Sequence, residues 1–412
     1  MSAGEPVPPL SQWRALPEPH RGLDAVVVVP ARNEEARIGP ALRALAAQRG
    51  LDGAPLLHRR YEVLVLVNNS EDGTAAAVAR VAREHPTLAL RAIDATLEPT
   101  QANIGFVRRQ LMDEALRRLS RADASPRAVI ASTDGDSRVA PDWLAAQLAE
   151  VAAGADVVGG RIVGDPGDAP HARDRAVLRA QRRDLAHALM RSRLESVWLP
   201  DEADPWPRHH QHFGASLAVT VRAYVDVGGV PLVPFLEDEA LAAALRRHDW
   251  RMRHSLRVRV STSSRLDGRA EVGYAWQLRQ WADRTSDFHD PLVERAGSWI
   301  AGLAALAELR RRRAAGERGD LALDARLQVP CGLSESLLGA GGPFGAMREA
   351  VARERQVAVS AASGAMLPLS ASLADLRIAT RALRSRLEGT LSLETRVRAR
   401  TLIDARRLSV VT

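Results

Sequence analysis

The chain has 412 residues, of which 46% are hydrophobic and 26% charged, a composition typical of a soluble protein with a large core. Its formal charge is +7, and because the sequence contains no lysine, all 57 basic residues are arginine. The arginines are scattered, without a basic block or interleaved aromatic residues, which argues against nucleic-acid binding. A bias of composition and an attraction to anions such as nucleotide diphosphates both remain open.

A single cysteine, Cys331, excludes a disulfide framework within the chain and fits a reducing compartment. The N-terminal segment 1–23 is rich in proline and lacks the apolar core of a secretory signal. The best candidate for a membrane span, 298–313, falls short of the ~18 consecutive apolar residues that a span needs and runs into arginines. We therefore expect a cytoplasmic protein without a transmembrane segment.

From Asp24 onward, segments typical of buried strands alternate with amphipathic helices. Five strands are predicted, within the segments 24–30, 61–74, 88–94, 126–136 and 155–164. Strands that alternate with helices of this kind form a parallel sheet with helices on both faces. The pattern therefore predicts an α/β fold with a mainly parallel sheet flanked by helices.

The second half of the chain carries fewer strand signals. Residues 209–230 return to strand and helix patterns, and 250–265 predicts a pair of strands. Beyond residue 266 the strand pattern fades, and arginine-rich helices are expected to form an α-helical C-terminal extension. This divides the chain into an N-terminal segment 1–23, a domain 24–265 and a helical region 266–412.

Three polar loops follow predicted strands, at 30–35, 68–72 and 133–136. Ligands of open α/β sheets bind beyond the carboxyl ends of the strands, so we expect these loops to line one crevice. The second loop has polar side chains suited to a base edge or a ribose, and Ser70 or Asp72 also suits a plain helix cap.

Asp134 and Asp136 lie one residue apart at the end of the fourth predicted strand. Carboxylates this close repel each other and raise each other's pKa, which favours a cation between them. A hard cation, Mg²⁺ or Mn²⁺, suits such a pair and can share a diphosphate with it; a solvated turn is the alternative. No glycine-rich phosphate loop follows the first strand, which argues against a dinucleotide-binding dehydrogenase and a P-loop enzyme.

The acids Glu237, Asp238 and Glu239 stand at the start of a predicted helix. Their carboxylates favour the positive end of the helix dipole, and this alone explains their position. The functional alternative is a general base that removes a proton from an acceptor hydroxyl.

Histidines and arginines supply a last group of candidates. His212, with its neighbours His209 and His210, is expected to line an acceptor pocket rather than to bind a metal, and His254 is a further possible ligand. Arg265 and Arg269 suit the neutralisation of a diphosphate or an anionic acceptor, with surface solvation as the alternative.

Taken in order, these motifs resemble the family 2 glycosyltransferases, nucleotide-sugar enzymes of the GT-A fold. The resemblance covers residues 24–265 and rests on VVVVPARNEEARI, VNNSEDGT, NIGFVRRQLMDEAL, STDGDSRVAPDWL, GASLAVTVRAYVDVGG and FLEDEALAAALRR. It implies transfer of a sugar from a nucleotide-diphosphate sugar to an acceptor hydroxyl with inversion. It also implies direct displacement assisted by a carboxylate base and a divalent cation, Mg²⁺ or Mn²⁺.

The resemblance also implies a role for individual residues. Those implied to bind the nucleotide sugar are Pro30, Ala31, Asn33, Glu34, Asn68, Asp72, Arg109 and Asp134. Asp134 and Asp136 are implied as metal ligands, and Asp238 as the base with Glu237 as its alternative. His212 and Arg265 are assigned to the acceptor or the phosphates.

Two departures from the family pattern limit these expectations. The second loop is one residue shorter than the common form and has Asn68 and Asn69 where an acid is usual, so the base of the nucleotide stays open. QLRQW at 277–281 only partly matches the Q-x-x-R-W motif of processive synthases, which favours single addition.

Three other functions remain open. One is a retaining glycosyltransferase of the glycosyl-glycerate type, and another is a sugar nucleotidyltransferase, whose glycine-rich signature is missing. The third is a non-catalytic nucleotide-binding or scaffold protein, whose arginine-rich tail docks a partner or makes peripheral contact with an anionic membrane face. The acceptor and the oligomeric state are not indicated.

Overall fold

The computed structural model of the chain describes residues 8–165, 175–268, 272–283, 290–362 and 364–390. Arg269, expected to act with Arg265, lies outside these ranges. The strands are β1 (Ala25–Ala31), β2 (Tyr61–Asn68), β3 (Ala89–Ala95), β4 (Val129–Ser132), β5 (Ser137–Val139), β6 (Val157–Asp165), β7 (Leu217–Thr220), β8 (Met252–Ser263), β9 (Leu292–Glu294) and β10 (Met366–Pro368).

Helices connect many of these strands and make up most of the described chain after β8. They are α1 (Glu35–Ala46), α2 (Thr74–Glu84), α3 (Ile104–Arg121), α4 (Trp143–Ala152), α5 (Arg175–Trp198), α6 (Val221–Asp226), α7 (Glu237–Arg247), α8 (Tyr274–Asp283), α9 (Ala296–Ala315), α10 (Leu321–Leu327), α11 (Leu333–Ala340), α12 (Phe344–Ala361) and α13 (Leu369–Thr390). None of these helices is long and apolar enough to cross a membrane.

Within the described ranges the main sheet has eight strands in the order β3-β2-β1-β4-β7-β6-β8-β5. β1 pairs in parallel with β2 and β4, β2 with β3, and β6 with β8. β7 runs antiparallel to β4 and β6, and β5 antiparallel to β8. The predicted α/β sheet flanked by helices is confirmed, with its antiparallel pairings in the half that follows β4.

The apolar runs of the sequence form the centre of this sheet. Every residue of β1 and β2 is buried, as expected for strands covered on both faces. One core cluster packs α1, α2 and α4 on one face of the sheet, through side chains such as Leu42 and Trp143. A second cluster packs α3, α6 and α7 on the other face, through side chains such as Leu111 and Leu245.

The predicted strand pair at 250–265 is wrong, because β8 is one strand of 12 residues. The segment 252–263 contains no glycine, proline or asparagine to form a turn. β6 pairs with it along its whole length, with an irregularity between Gly160 and Arg161. The fading of strand signals beyond 266 is right in outline, although β9 and β10 form a short antiparallel pair there.

The C-terminal helices are attached to the sheet domain. α9, α10 and α12 enclose a small core of their own, with Leu309, Leu323 and Met347 at its centre. α12 begins against the end of α7, where both carboxylate oxygens of Asp249 accept hydrogen bonds from the backbone N–H groups of Phe344 (2.7 Å) and Gly345 (2.6 Å). The extension therefore supports α7 directly.

The close packing of α3 on the loop before α7 can be tested by substituting Gly105. A Cβ at position 105 would collide with the backbone carbonyl oxygen of Val233. We expect Gly105→Ala to lower the free energy of unfolding by roughly 1–3 kcal/mol, because the backbone has to shift. The matched control is Gly339→Ala in α11, where no described atom lies within 4 Å of the added Cβ. Alanine's helix propensity should there add up to ~1 kcal/mol. Equal effects of the two changes in denaturant unfolding would contradict the tight contact.

Candidate functional site

The loops after β1 and β2 are joined by hydrogen bonds. The backbone N–H of Asn33 donates to the Ser70 hydroxyl at 3.0 Å, and the Asn33 side-chain oxygen accepts from the N–H of Glu71 at 2.8 Å. The N–H of Glu34 donates to the Thr74 hydroxyl at 2.7 Å. Asn33 adopts a left-handed backbone conformation (φ 53°), which asparagine tolerates better than most residues. The two loops therefore form one unit at the carboxyl edge of the sheet.

Asp72 and Asn68 belong to the same unit. The Asp72 carboxylate accepts hydrogen bonds from the backbone N–H groups of Glu35 and Thr74, both at 3.1 Å, and from the Thr74 hydroxyl. Asp72 thus binds the first residues of both α1 and α2, while the N-cap residue of α2 is Gly73. Asn68 is the last residue of β2 and is buried at the loop's base. The structure therefore brings both residues to this edge of the sheet.

The loop that carries Asp134 and Asp136 lies directly on the end of β1. A Cβ added to Gly135 would stand 3.2 Å from the Pro30 carbonyl oxygen and 3.5 Å from the Ala31 Cβ. Glycine therefore allows the two aspartates to flank a close backbone contact. The expected convergence of the three polar loops is confirmed in this geometry.

Arg265 joins two of these loops. Its Nη1 donates to the Glu34 Oε2 at 2.7 Å and its Nη2 also contacts Glu34, while the same Nη2 lies 3.2 Å from the Asp136 Oδ2. Burial, followed by repulsion from Glu34 and Asp134, raises the pKa of Asp136 to about 7 although Arg265 opposes the shift. Two carboxylates, Glu34 and Asp136, thus share the one guanidinium of Arg265, which leaves a surplus of negative charge.

A divalent cation fits this surplus of negative charge. Asp134 keeps a third of its side chain exposed (34%), and Asp136 is mostly covered (16%). In the described part of the chain, no group of three or more His, Cys, Asp or Glu side chains is arranged to hold a metal ion. A cation bound by the two aspartates would therefore complete its coordination with oxygen atoms from a ligand or water.

Arg108 is the site residue that the sequence does not single out. Its buried guanidinium donates from Nε to the Glu237 Oε1 (2.6 Å) and from Nη2 to the Asp134 Oδ1 (3.0 Å). Its Nη1 donates to the Ser132 hydroxyl and to the Gly214 carbonyl at 3.3 Å. One cation therefore ties the aspartate loop to the first acid of α7.

The structure does not bring Arg109 to this cluster. Its Nε donates to the Asp113 carboxylate at 2.6 Å and its Nη1 to the Val230 carbonyl at 2.9 Å. Neighbouring residues of a helix point about 100° apart, so Arg108 and Arg109 cannot both face the aspartate loop. Arg108, and not Arg109, therefore contacts the aspartate loop.

The three acids of α7 have three different kinds of partner. Glu237 is 3% exposed and bound to Arg108; burial raises its pKa while Arg108 opposes the rise. Asp238 is half-buried, and its carboxylate accepts from the backbone N–H groups of Gly214 (2.7 Å) and Glu239 (2.8 Å). Glu239 lies 3.0 Å from the His212 Nε2. Of the three, Asp238 is the one whose hydrogen-bond partners in the described ranges are backbone N–H groups rather than a side chain.

The histidines contact one another beside this helix. His212 lies between Glu239 and His254, with its Nδ1 3.3 Å from the His254 Nε2. Burial, followed by repulsion from His254, lowers the pKa of His209 to about 3, and its Nε2 faces the Ser255 carbonyl at 3.1 Å. His212 therefore serves an acid of α7, a contact that its sequence position alone did not indicate.

Asp136 predicts a characteristic dependence of stability on pH. Its carboxyl ionises near 3.8 when unfolded and at about 7 when folded, so the folded protein binds more protons between these values. In EDTA, the free energy of unfolding contributed by this group should therefore fall as the pH rises from about 4 to about 7. We expect Asp136→Asn to remove this fall and to raise the Tm at pH 8 by roughly 3 °C or more.

Thermal unfolding from pH 5 to pH 8 measures this effect, with Asp123→Asn as the matched change at an exposed aspartate beyond α3. A variant Asp136→Asn that is less stable than the wild type at pH 8 in EDTA would contradict the surplus of charge.

Residues 23–279 match the family model described as Glycosyltransferase like family 2. This span is more than half of the chain, and it includes every site residue described above. No curated protein matches the sequence.

Several solved structures are similar to this chain. A mannosyltransferase from Pyrobaculum calidifontis, in complex with GDP-Man and Mn²⁺, is 22% identical over 84% of this chain and 92% of its own, with a TM-score of 0.41. TarS 1–349 of S. aureus, in complex with UDP, is 14% identical over 70% and 82%, with a TM-score of 0.37. Glucosyl-3-phosphoglycerate synthase from Mycobacterium tuberculosis, in complex with UDP, is 17% identical over 63% and 78%, with a TM-score of 0.32. These likenesses are too distant to assign a substrate to this chain.

Proposed function

The chain belongs to glycosyltransferase-like family 2 and is a glycosyltransferase, and we propose that it transfers a sugar from a nucleotide-diphosphate sugar to an acceptor hydroxyl by direct, inverting displacement. The acceptor oxygen bonds to the anomeric carbon while the bond from that carbon to the diphosphate breaks. The hydroxyl proton passes to a carboxylate, the role that we assign to Asp238.

The observation that carries this proposal is the contrast between Glu237 and Asp238. A proton on Glu237 would disrupt its buried ion pair with Arg108, and leaving a buried charge without its partner is costly. Asp238 is more accessible, and two backbone N–H groups fix its orientation. Asp238 also interacts electrostatically with Arg108, the residue that holds Asp134. The proposed base therefore lies close to the aspartate loop.

We assign the nucleotide-sugar donor to the side of Arg108 that faces away from the acids of α7, where the polar loops lie. The joined loops at Asn33–Glu34 and Asn68–Asp72 offer polar groups for the nucleoside. Arg265 supplies a permanent cation beside Asp136 for the diphosphate. Asp134 and Asp136 would hold the divalent cation, which when bound neutralises charge on the diphosphate leaving group. Holding both reactants on one rigid sheet edge supplies the alignment that an in-line displacement requires.

Nucleotide binding tests the donor side. We expect one of UDP, GDP, dTDP and CDP to raise the Tm in the presence of Mn²⁺ and to have no such effect in EDTA. Ligand at about a hundred times its dissociation constant stabilises a protein by roughly 2.7 kcal/mol, which thermal unfolding resolves easily. Mn²⁺ alone should have a small effect, because two aspartates leave most of its coordination to the nucleotide.

Asp136→Ala should lose this nucleotide-dependent stabilisation, and Asp123→Asn should keep it. An undiminished shift in EDTA would contradict the metal-held diphosphate. The absence of any shift, with all four nucleotides and Mn²⁺, would contradict the donor site itself and favour the non-catalytic alternative.

Asp238→Asn tests the base. The amide keeps the size of the side chain but cannot accept the hydroxyl proton, so kcat should fall about 10²- to 10⁴-fold while the nucleotide-dependent rise in Tm is retained. The configuration of the product's anomeric carbon separates inversion from the retaining alternative. Near-wild-type activity in Asp238→Asn would remove Asp238 from the reaction.

A further inference from the structure

A continuous chain of polar contacts runs from the C-terminal helix α12 to the acids of α7. Basic and acidic side chains alternate from Arg348 to His254, and each member lies within hydrogen-bond or ion-pair distance of the next. In order, the chain is Arg348–Glu195, Glu195–Arg208 (3.2 Å), Arg208–Asp204 (2.9 Å), Asp204–His254 (2.7 Å), His254–His212 (3.3 Å) and His212–Glu239 (3.0 Å). It ends beside Asp238.

The last three contacts of this chain determine how many protons its side chains must carry. Asp204 accepts from His254, His254 shares one hydrogen with His212, and His212 shares one with Glu239. Three hydrogen bonds require three hydrogens. Two neutral imidazoles and two carboxylates supply only two, since a carboxylate has none to donate. The chain from Asp204 to Glu239 is therefore complete only when it holds one extra proton.

The surroundings indicate where this proton resides. Burial lowers the pKa of His254, although Asp204 opposes the shift. The hydrogen bond from His212 lowers the pKa of Glu239, against its partial burial. The lowered pKa of Glu239, and that of Asp204 at the other end, keep the extra proton off the carboxylates and within the imidazole pair. Arg246 also lies beside this pair, 3.4 Å from the His212 Nε2 and 3.9 Å from the Glu239 Oε2. The other charged or titratable groups nearby are His209, His210, Glu195, Arg208 and Arg253.

We propose that His212 and His254 are positioning residues for the base Asp238, because the proton they hold neutralises Glu239. This inference rests on the proposed function for the role of Asp238. Glu237 pairs with Arg108 and Glu239 with the histidine chain, whereas Asp238 accepts hydrogen bonds only from backbone N–H groups in the described ranges. Without His212, the charge of Glu239 would be opposed mainly by Arg246, 3.9 Å away, and so less fully neutralised next to Asp238. Negative charge nearby favours the protonated form of a carboxyl, which cannot act as a base.

The first test needs no reaction. Nuclear magnetic resonance of ¹⁵N-histidine-labelled protein reports whether each imidazole carries one or two hydrogens, and the variants His212→Asn and His254→Asn assign the signals. At pH 8 the wild type should show one doubly protonated imidazole in this pair, and Glu239→Gln should convert it to the singly protonated form. Two singly protonated imidazoles at pH 8 in the wild type would overturn the inference.

The second test measures reaction against pH. Hydrolysis of UDP-glucose or GDP-mannose with Mn²⁺, followed by release of the nucleoside diphosphate, uses water as the acceptor and still requires the base. His212→Asn should shift the acid limb of the kcat profile upwards by about half to one pH unit while the nucleotide-dependent rise in Tm is retained. The double variant His212→Asn with Glu239→Gln should return the limb to its wild-type position, which a merely structural role would not do.

The matched control is His248→Asn at the other end of α7, where His248 lies 2.8 Å from the Asp226 carboxylate. It should leave the acid limb in place. An unchanged limb in His212→Asn, or a double variant that stays shifted, would overturn the positioning role. A wild type that hydrolyses no sugar donor of the nucleotide that raises its Tm would instead overturn the proposed function, and with it the role of Asp238, whatever the resonance result.

Discussion

The buried guanidinium of Arg108 is the interaction on which the arrangement of this site depends. It binds the end of β4 through Ser132, the aspartate loop through Asp134, and α7 through Glu237. A buried cation that loses a carboxylate partner is strongly destabilised, so α3, the sheet and α7 are held in one relative position. Gly214 completes the enclosure, because a Cβ there would press against the same guanidinium. The distance between the aspartate loop and the acids of α7 is thus set by one side chain.

Much of this arrangement could be predicted from the sequence, because it depends on local patterns. The continuous apolar runs of β1 and β2 predict a sheet covered on both faces, and the polar residues after them must then meet at one edge. Arg108 could not be predicted in the same way. Its neighbour Arg109 is buried as well, and the choice between them depends on Glu237, 129 positions along the chain. The length of β8 could not be predicted locally either, because it is set by pairing with β6, a partner that the local sequence does not reveal.

The structure also explains part of the arginine content of the chain. A chain without lysine has arginine at every basic position, and several of these arginines form ion pairs inside the protein: Arg118 with Glu62, Arg265 with Glu34, and Arg355 with Glu294. In each pair the carboxylate contacts two guanidinium nitrogens, a geometry that the single ammonium of lysine cannot reproduce. For Arg118 and Arg355, the attraction of external anions is not needed to explain the positive charge.

The acids of α7 illustrate how partners, rather than sequence position, distinguish chemically similar residues. All three carboxylates gain from the helix dipole, so the structural explanation of their position holds together with any catalytic one. Their partners differ: a guanidinium for Glu237, backbone amides for Asp238 and an imidazole for Glu239. Arg108 also contacts Asp134, which is a proposed metal ligand. In the proposed reaction, a cation bound at Asp134 would act on the same guanidinium that holds Glu237, so the donor side and α7 are coupled through Arg108.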